Sequence, residues 1–230
     1  MTLRRQLTPA ALAVVLFGAG ACTGGEDGTK EDPPPAAADG SVCDALLGDA
    51  GMAWLKDRTG GTFRPEAGDD LKKARSLFYR QVENWDAGDS GARTFLRADL
   101  CRATGAGGGK QFEVRYGPSY FPFDAPFEEA SDVSPAQTVT EVDPDVKLVH
   151  GKDADGATRY RVYVRCKIAG TPAQQESEVP IEGLMTDTLT GDTDARVHLT
   201  HLLHSAKVVA DGFGCENKPV VPGQPPASLG

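Results

Sequence analysis

Histidine is scarce in this chain, which has four in 230 residues and none before His150. Cysteine is also sparse, and no two of the five cysteines have the CxxC spacing that is typical of zinc and dithiol redox sites. Outside residues 10–17, no segment is apolar enough to span a membrane. These absences disfavour a zinc protein, a thioredoxin-like enzyme and a protein with several membrane-spanning helices.

Positive charge is also in short supply, because 33 acidic residues outnumber 24 basic ones and the formal net charge is −9. An acidic surface repels phosphate backbones and anionic lipid head groups. We therefore expect no nucleic-acid partner. The length is sufficient for one sizeable core or two small ones.

The first 21 residues have the three parts of an export signal. Arg4 and Arg5 form a basic start, residues 10–17 are apolar, and residues 18–21 are Gly or Ala. The apolar run is too short for a permanent membrane span of roughly 30 Å. We predict a signal peptide over residues 1–21.

Cys22 directly follows the small residues, and this arrangement resembles the lipobox of bacterial lipoproteins. The position three before the cysteine, usually Leu, holds Ala19. The resemblance implies that Cys22 receives a diacylglycerol thioether with palmitate-type chains and becomes the first residue, held at the extracytoplasmic face of the cell membrane. Buried acyl chains contribute about 0.8 kcal/mol per CH₂ to such an anchor. Ordinary secretion with a spare thiol is the alternative, and the export route, general secretory or twin-arginine, stays open.

Residues 22–41 and 219–230 lack the composition of a folded core. Residues 23–41 have no aromatic or large aliphatic side chain, which predicts a flexible linker behind the lipidated cysteine. Residues 219–230 contain four prolines, and we expect them to be disordered. Residues 42–218 are then the globular part, either one domain or two halves, 42–130 and 131–218.

Four cysteines remain in that globular part: Cys43, Cys101, Cys166 and Cys215. An even number in an exported domain predicts two disulfides, with three possible connectivities. We favour the bonds between neighbours along the chain, Cys43–Cys101 and Cys166–Cys215. Each would close a loop of roughly 50–60 residues and contribute about 4 kcal/mol.

Hydrophobic periodicity predicts helices over residues 42–55, 69–85 and 193–212, and a strand over 111–116. Residues 143–168 read as a hairpin, because Tyr160, Val162, Val164, Cys166 and Ile168 alternate with polar residues after the turn at 153–156. Residues 92–102 fit a helix or a strand. The fold class expected is α+β, with a small antiparallel sheet, helices packed on one face and two disulfides.

Aromatic residues concentrate in one segment broken by prolines. Five of them lie within twelve residues: Tyr116, Tyr120, Phe121, Phe123 and Phe127. Such a loop can form a ligand groove or a partner surface, and it can equally cover the edge of a sheet. It is the best candidate binding site in the chain.

The remaining motifs favour simpler interpretations. His198, His201 and His204 lie on the last helix, but a helical wheel turns His201 and His204 to solvent and leaves His198 at the edge of the apolar stripe, without an obvious third metal ligand. Asp153 and Asp155, with Asp143 and Asp145 nearby, favour a turn over a calcium loop.

Two further motifs fail on their flanks. Residues 88–91 resemble the nucleophile segment of chymotrypsin-like proteases, but Ala92-Arg93 follows where that family has Gly-Pro, and no histidine precedes His150. Gly109-Lys110 follows a Gly-rich run, but Gln111 stands where a phosphate loop requires Ser or Thr. We therefore predict no catalytic residue, metal or cofactor.

The signal, the linker and the frequent Ala and Gly resemble exported lipoproteins of actinobacteria, of the Streptomyces type. Three segments are similar to members of that group: residues 163–166, 204–207 and 215–217. The resemblance implies location and anchoring but no activity. A non-catalytic lipoprotein that binds an envelope protein or a ligand outside the cell is the first hypothesis. A small extracytoplasmic hydrolase of wall or lipid material is the second, and a structural spacer the third.

Overall fold

A computed structural model describes residues 42–86, 94–130 and 135–229. The helices are α1 (Val42–Thr59), α2 (Leu71–Glu83), α3 (Gln175–Glu178) and α4 (Ala195–Phe213). The strands are β1 (Phe63–Glu66), β2 (Ala98–Gly105), β3 (Gln111–Pro118), β4 (Thr138–Asp143), β5 (Val146–Lys152), β6 (Thr158–Val164) and β7 (Ile181–Asp187). These elements confirm the α+β class predicted from the sequence.

The strands form one antiparallel sheet in the order β1-β2-β3-β7-β6-β5-β4. β7 pairs with β3 on one side and with β6 on the other, so it joins the first three strands to the last three. The two halves considered from the sequence therefore share one sheet and one main core. The segment left undecided at 92–102 contributes the start of β2.

The predicted hairpin is β5 and β6, joined by a turn at residues 153–156. Gly156 closes this turn with φ of 79°, a conformation that glycine adopts without strain, and its amide donates to the Asp153 carbonyl at 2.8 Å. Tyr160, Val162 and Val164 face the helices, as the alternation predicts. We call this side of the sheet the helix face and the opposite side the outer face.

Capping side chains define the starts of two helices. Asp70 accepts a hydrogen bond from the Lys73 amide at 2.7 Å and begins α2. Asp194, and not Asp192 or Thr193, accepts from the amides of α4, and Gly214 ends that helix in the left-handed conformation. α1 bends at Gly48, which has φ of 60°, and the bend changes the buried face so that Ala50 is exposed.

The two disulfides connect Cys43 to Cys101 and Cys166 to Cys215, which confirms the connectivity favoured from the sequence. The first ties the start of α1 to β2, and the second ties the segment after β6 to the end of α4. Disulfides of this kind are consistent with a protein that folds outside the reducing cytoplasm. Within the three described ranges, no helix has the length and apolarity to cross a membrane.

The end of the chain differs from the disorder predicted for residues 219–230. Val221 and Leu229 are 8% and 6% exposed and belong to the main core. The Arg196 guanidinium donates to four backbone carbonyls of this segment: Pro225, Pro226, Ala227 and Leu229. The prolines leave the segment without regular secondary structure, and a single arginine of α4 supplies the hydrogen bonds that a helix or strand would otherwise provide.

Candidate functional site

Residues 119–130 lie over the outer face of the sheet and form the wall of the candidate site; we call them the aromatic loop. Its backbone is tied to the domain at three points. The Ser119 amide donates to the Pro180 carbonyl at 2.9 Å, and the Phe123 amide donates to the Ser177 carbonyl at 2.7 Å. The Gln137 amide donates to the Phe127 carbonyl at 2.9 Å. These bonds fix the loop without regular secondary structure.

Phe123 anchors the centre of the aromatic loop. Its side chain packs with Val149 and Tyr163 in a small apolar cluster on the outer face, separate from the main core. The Lys147 ammonium donates to its carbonyl at 2.9 Å. The Arg165 guanidinium carbon lies 4.1 Å from its ring centroid, a favourable cation–π contact. The loop therefore covers part of the sheet, which is the alternative to a binding loop that the sequence left open.

A pocket of about 260 Å³ remains between the loop and the sheet. Its lining combines the loop with residues of β6 and both ends of the β4–β5 hairpin: Phe121, Ala125, Pro126, Phe127, Glu129, Ala130, Gln137, Asp153, Arg161 and Tyr163. The Phe127 ring lies over Tyr163 with 4.9 Å between centroids, and Phe121 meets Phe127 edge to face at 5.6 Å. The loop thus serves as a cover of the sheet and as the wall of a pocket.

The polar side of the pocket is centred on Arg161. Its Nη2 contacts both carboxylate oxygens of Asp153 at 2.8 Å, and its Nη1 donates to the Gln137 side-chain oxygen at 3.1 Å. Burial alone would lower the pKa of Arg161, but the hydrogen bond to Asp153 and the nearby carboxylates outweigh burial and raise that pKa. The guanidinium is therefore a permanent charge, neutralised within the site.

Tyr163 lies in the pocket lining and has an unusual hydroxyl. The side chain is 0% exposed, and its hydroxyl has no hydrogen-bond partner in the described part of the chain. Burial raises the pKa of this phenol well above its usual value, and the nearby Glu182 carboxylate raises it further. The hydroxyl is therefore protonated and remains available as a donor. Buried polar groups are rarely left unpaired without a functional or structural reason.

The five aromatic residues singled out from the sequence do not form one site. Phe121 and Phe127 line the pocket, while Phe123 lies in the cluster beside it. Tyr120 packs against Phe95 instead, with ring centroids 5.6 Å apart. Tyr116 lies on the helix face of β3, 1% exposed, and therefore does not belong to this surface.

The histidines of α4 differ from the exposed positions predicted for two of them. His201 is 8% exposed, with its ring 4.8 Å from that of Trp54 on α1, and only His204 is exposed. The helical wheel assumed one buried face, whereas α1 packs on a second face of α4. In the described ranges, no three His, Cys, Asp or Glu side chains come together as metal ligands.

His198 makes a sealed pair with Asp187. Its Nε2 lies 2.9 Å from Asp187 Oδ2, and its Nδ1 lies 2.7 Å from the Asp194 carbonyl. Both side chains of the pair are 0% exposed. Burial would raise the pKa of Asp187, but the hydrogen bonds from His198 and Thr190 lower it. No substrate can reach these groups, so the pair joins the end of β7 to the start of α4.

The aspartates of the β5–β6 turn contact cations of the protein itself. Asp153 pairs with Arg159 and Arg161, and Asp155 pairs with Arg159. These contacts, and the turn that Gly156 closes, account for Asp153 and Asp155 without calcium. Residues 105–109 are likewise the turn between β2 and β3. The predicted signal, Cys22, the linker and the segment 88–91 lie outside the described residues.

Reasoning from the sequence missed the polar half of the pocket, Gln137, Asp153, Arg161 and Tyr163. One signal was available. On the outer face of β6, Tyr163 stands among arginines and a lysine, and a large ring in such a row indicates that another segment covers it. The covering segment was the aromatic loop already identified. The pairing of loop and strand required the register of the sheet.

Comparisons with protein-family models, with curated proteins and with solved structures find no match for this chain.

Proposed function

We propose that this protein is a lipid-anchored binding protein of the extracytoplasmic membrane face, and that its pocket under the aromatic loop takes a small ligand. The observation that carries the proposal is the unpartnered Tyr163 hydroxyl in the lining of an aromatic pocket. Binding sites typically combine apolar walls with a few polar groups that orient the ligand. The two disulfides support the extracytoplasmic location.

The backbone bonds of the aromatic loop support binding by a preformed site. A wall that is already tied to the sheet loses little conformational freedom when a ligand arrives, so less of the contact energy is spent on ordering. The hydrolase hypothesis has weaker support, because His201 and His204 face α1 and not the pocket. In the described lining of the pocket there is no histidine, serine or cysteine.

The anchor is tested by Cys22→Ala in the native host. We expect wild-type protein to sediment with membranes and to incorporate a labelled fatty acid, and the variant to do neither. A variant that still sediments with membranes and is still labelled would contradict the anchor. Disulfide formation in the variant provides the control for normal export and folding.

The pocket is tested by filling it. Ala125 is half-buried in the lining, and Ala125→Trp places a large side chain there. Ala53→Trp, on an exposed position of α1, is the matched control. Both variants and the wild type are purified from host membranes and their organic extracts compared by mass spectrometry. We expect a compound retained by the wild type and by Ala53→Trp but absent from Ala125→Trp, and identical extracts would contradict the proposal.

A further inference from the structure

The size of the pocket limits the ligand to one ring with substituents. A protein cavity of about 150 Å³ binds benzene, so the 260 Å³ found here admits a ring and a short side chain. Phe121 is 50% exposed and stands edge-on to Phe127, so the loop presents ring surface to an incoming group. Aromatic walls favour flat, largely apolar molecules because stacked and edge-to-face rings add to the energy of buried area.

The charges of the pocket favour an uncharged ligand. Arg161 and Asp153 neutralise one another within the lining, and the second charged neighbour of Arg161, Glu182, is itself paired with Arg97 at 2.5 Å. A charged ligand would lose its hydration without gaining an unpaired countercharge in the described site. The net charge of −9 further disfavours anions.

The hydrogen bonds leave the pocket with spare donors. Asp153 already accepts from Arg159, Arg161 and the Gln137 amide nitrogen. On the donor side, Arg161 Nη1 and Gln137 Nε2 each carry a second N–H beyond the bonds described, and Tyr163 has its whole O–H free. A site with spare donors selects a ligand that accepts hydrogen bonds.

From these three observations we infer that the pocket binds an uncharged molecule with a flat ring and a carbonyl oxygen, and that the Tyr163 hydroxyl donates to that oxygen. The inference rests on the proposed function and adds the chemical class of the ligand. Ethers and amides share the acceptor oxygen, but a carbonyl conjugated to the ring places it in the ring plane, where a donor beside the ring reaches it.

Four probes of similar size test the inference on the folded protein: acetophenone, ethylbenzene, benzoate and benzylamine. Titration of each is followed by amide chemical shifts of the aromatic loop and β6. We expect acetophenone to bind about 3–10-fold more tightly than ethylbenzene, the effect of one net hydrogen bond. Both charged probes are expected to bind more weakly than acetophenone. Tightest binding of benzoate or benzylamine would overturn the ligand class, as would the absence of shifts with all four.

Two tyrosine variants locate the donor. Tyr163→Phe is expected to remove the preference for acetophenone and to leave the affinity for ethylbenzene unchanged, because the ring is retained. Tyr116→Phe, on the helix face, is expected to leave both affinities unchanged. A preference that survives in Tyr163→Phe would overturn the role given to that hydroxyl. Loss of the retained compound in the extraction experiment tests the proposed function separately, since it does not depend on ligand class.

Discussion

Tyr116 and Tyr163 lie on opposite faces of the same sheet with their side chains fully buried, yet their hydroxyls differ in one respect. The Tyr116 hydroxyl lies 2.6 Å from Ser205 Oγ of α4, whereas the Tyr163 hydroxyl has no partner among the described residues. Burial raises the pKa of both phenols. The same group is therefore a satisfied part of the core on one face and an unused donor on the other.

This difference predicts opposite effects of the same substitution. Tyr163→Phe removes a buried group without a partner and is expected to increase the free energy of unfolding by about 1 kcal/mol. Tyr116→Phe leaves Ser205 without that partner and is expected to decrease it by about 1–2 kcal/mol. Urea unfolding followed by fluorescence measures both. A loss of stability in Tyr163→Phe as large as in Tyr116→Phe would mean that the Tyr163 hydroxyl is bonded.

Gly183 in the central strand β7 allows Tyr116 to lie flat against the sheet. A Cβ at this position would lie 2.5 Å from Tyr116 Cε1 and 2.7 Å from Val162 Cγ1. Gly183→Ala is therefore expected to lower the free energy of unfolding by about 1–3 kcal/mol through overpacking. Gly212→Ala is the matched control, because no atom lies within 4 Å of the added Cβ there. In that helix position alanine is expected to stabilise by about 0.5–1 kcal/mol, and equal effects at both glycines would refute the packing argument.

His201 links stability to pH. Burial lowers its pKa below the ordinary value of 6.5, and the neighbouring His198 and His204 lower it further. As the pH falls below 6.5, the unfolded chain binds a proton that the folded chain does not, so stability decreases until the pH reaches the folded pKa. We expect the melting temperature to fall between about pH 7.5 and about pH 5.5.

The variant His201→Leu assigns this effect. It removes the titrating group and keeps a buried side chain of helical preference. The drop in melting temperature over the same pH range is expected to be smaller than in the wild type. His150, whose pKa burial also lowers, accounts for part of the drop that remains. An unchanged drop in the variant would show that His201 does not contribute.

Each disulfide is expected to contribute substantially to stability. The bonds span 58 and 49 residues along the chain, and loops of this length correspond to about 4 kcal/mol in the chain-entropy model. The double variant Cys166→Ala/Cys215→Ala is expected to lose roughly that amount in urea unfolding, and Cys43→Ala/Cys101→Ala a similar amount. Unfolding free energies within about 1 kcal/mol of the wild type would contradict the prediction.

The C-terminal segment predicts a specific proteolysis result. Arg196 is the donor that holds the carbonyls of Pro225, Pro226, Ala227 and Leu229. Arg196→Ala is expected to expose the last ten or so residues to a nonspecific protease while the remainder resists, because the segment has few other hydrogen bonds. Lys207→Ala, on an exposed position of the same helix, is the control. Equal resistance of both variants would show that apolar packing alone holds the segment.

Elements with clear periodicity were predictable from the sequence. The alternation in β6 identified a strand and placed Cys166 on the core side, and the apolar stripe of α4 ended at a glycine just before Cys215. Together they supported the disulfide between these cysteines. Strand β7 was not predicted, because residues 181–185 are all buried and a strand covered on both faces shows no alternation.

Side chains that act across long distances in the chain were not predictable. Nothing near residues 219–229 indicates that Arg196 binds their carbonyls, and composition alone suggested disorder. Likewise, the aromatic loop was recognised as a candidate, but its partners Arg161 and Tyr163 follow it by more than thirty residues. Their meeting depends on strand order, which a single sequence does not reveal.

The bond between Cys43 and Cys101 has a mechanical consequence. Cys43 is the second residue of the described domain, so a pull on the chain before Val42 arrives almost at once at a covalent branch point. The load passes through sulfur into β2, which is held between β1 and β3, and α1 does not have to unwind to bear it. A domain attached through its N-terminal end would thus transmit tension into its sheet, and the pocket on β6 would keep its shape under force.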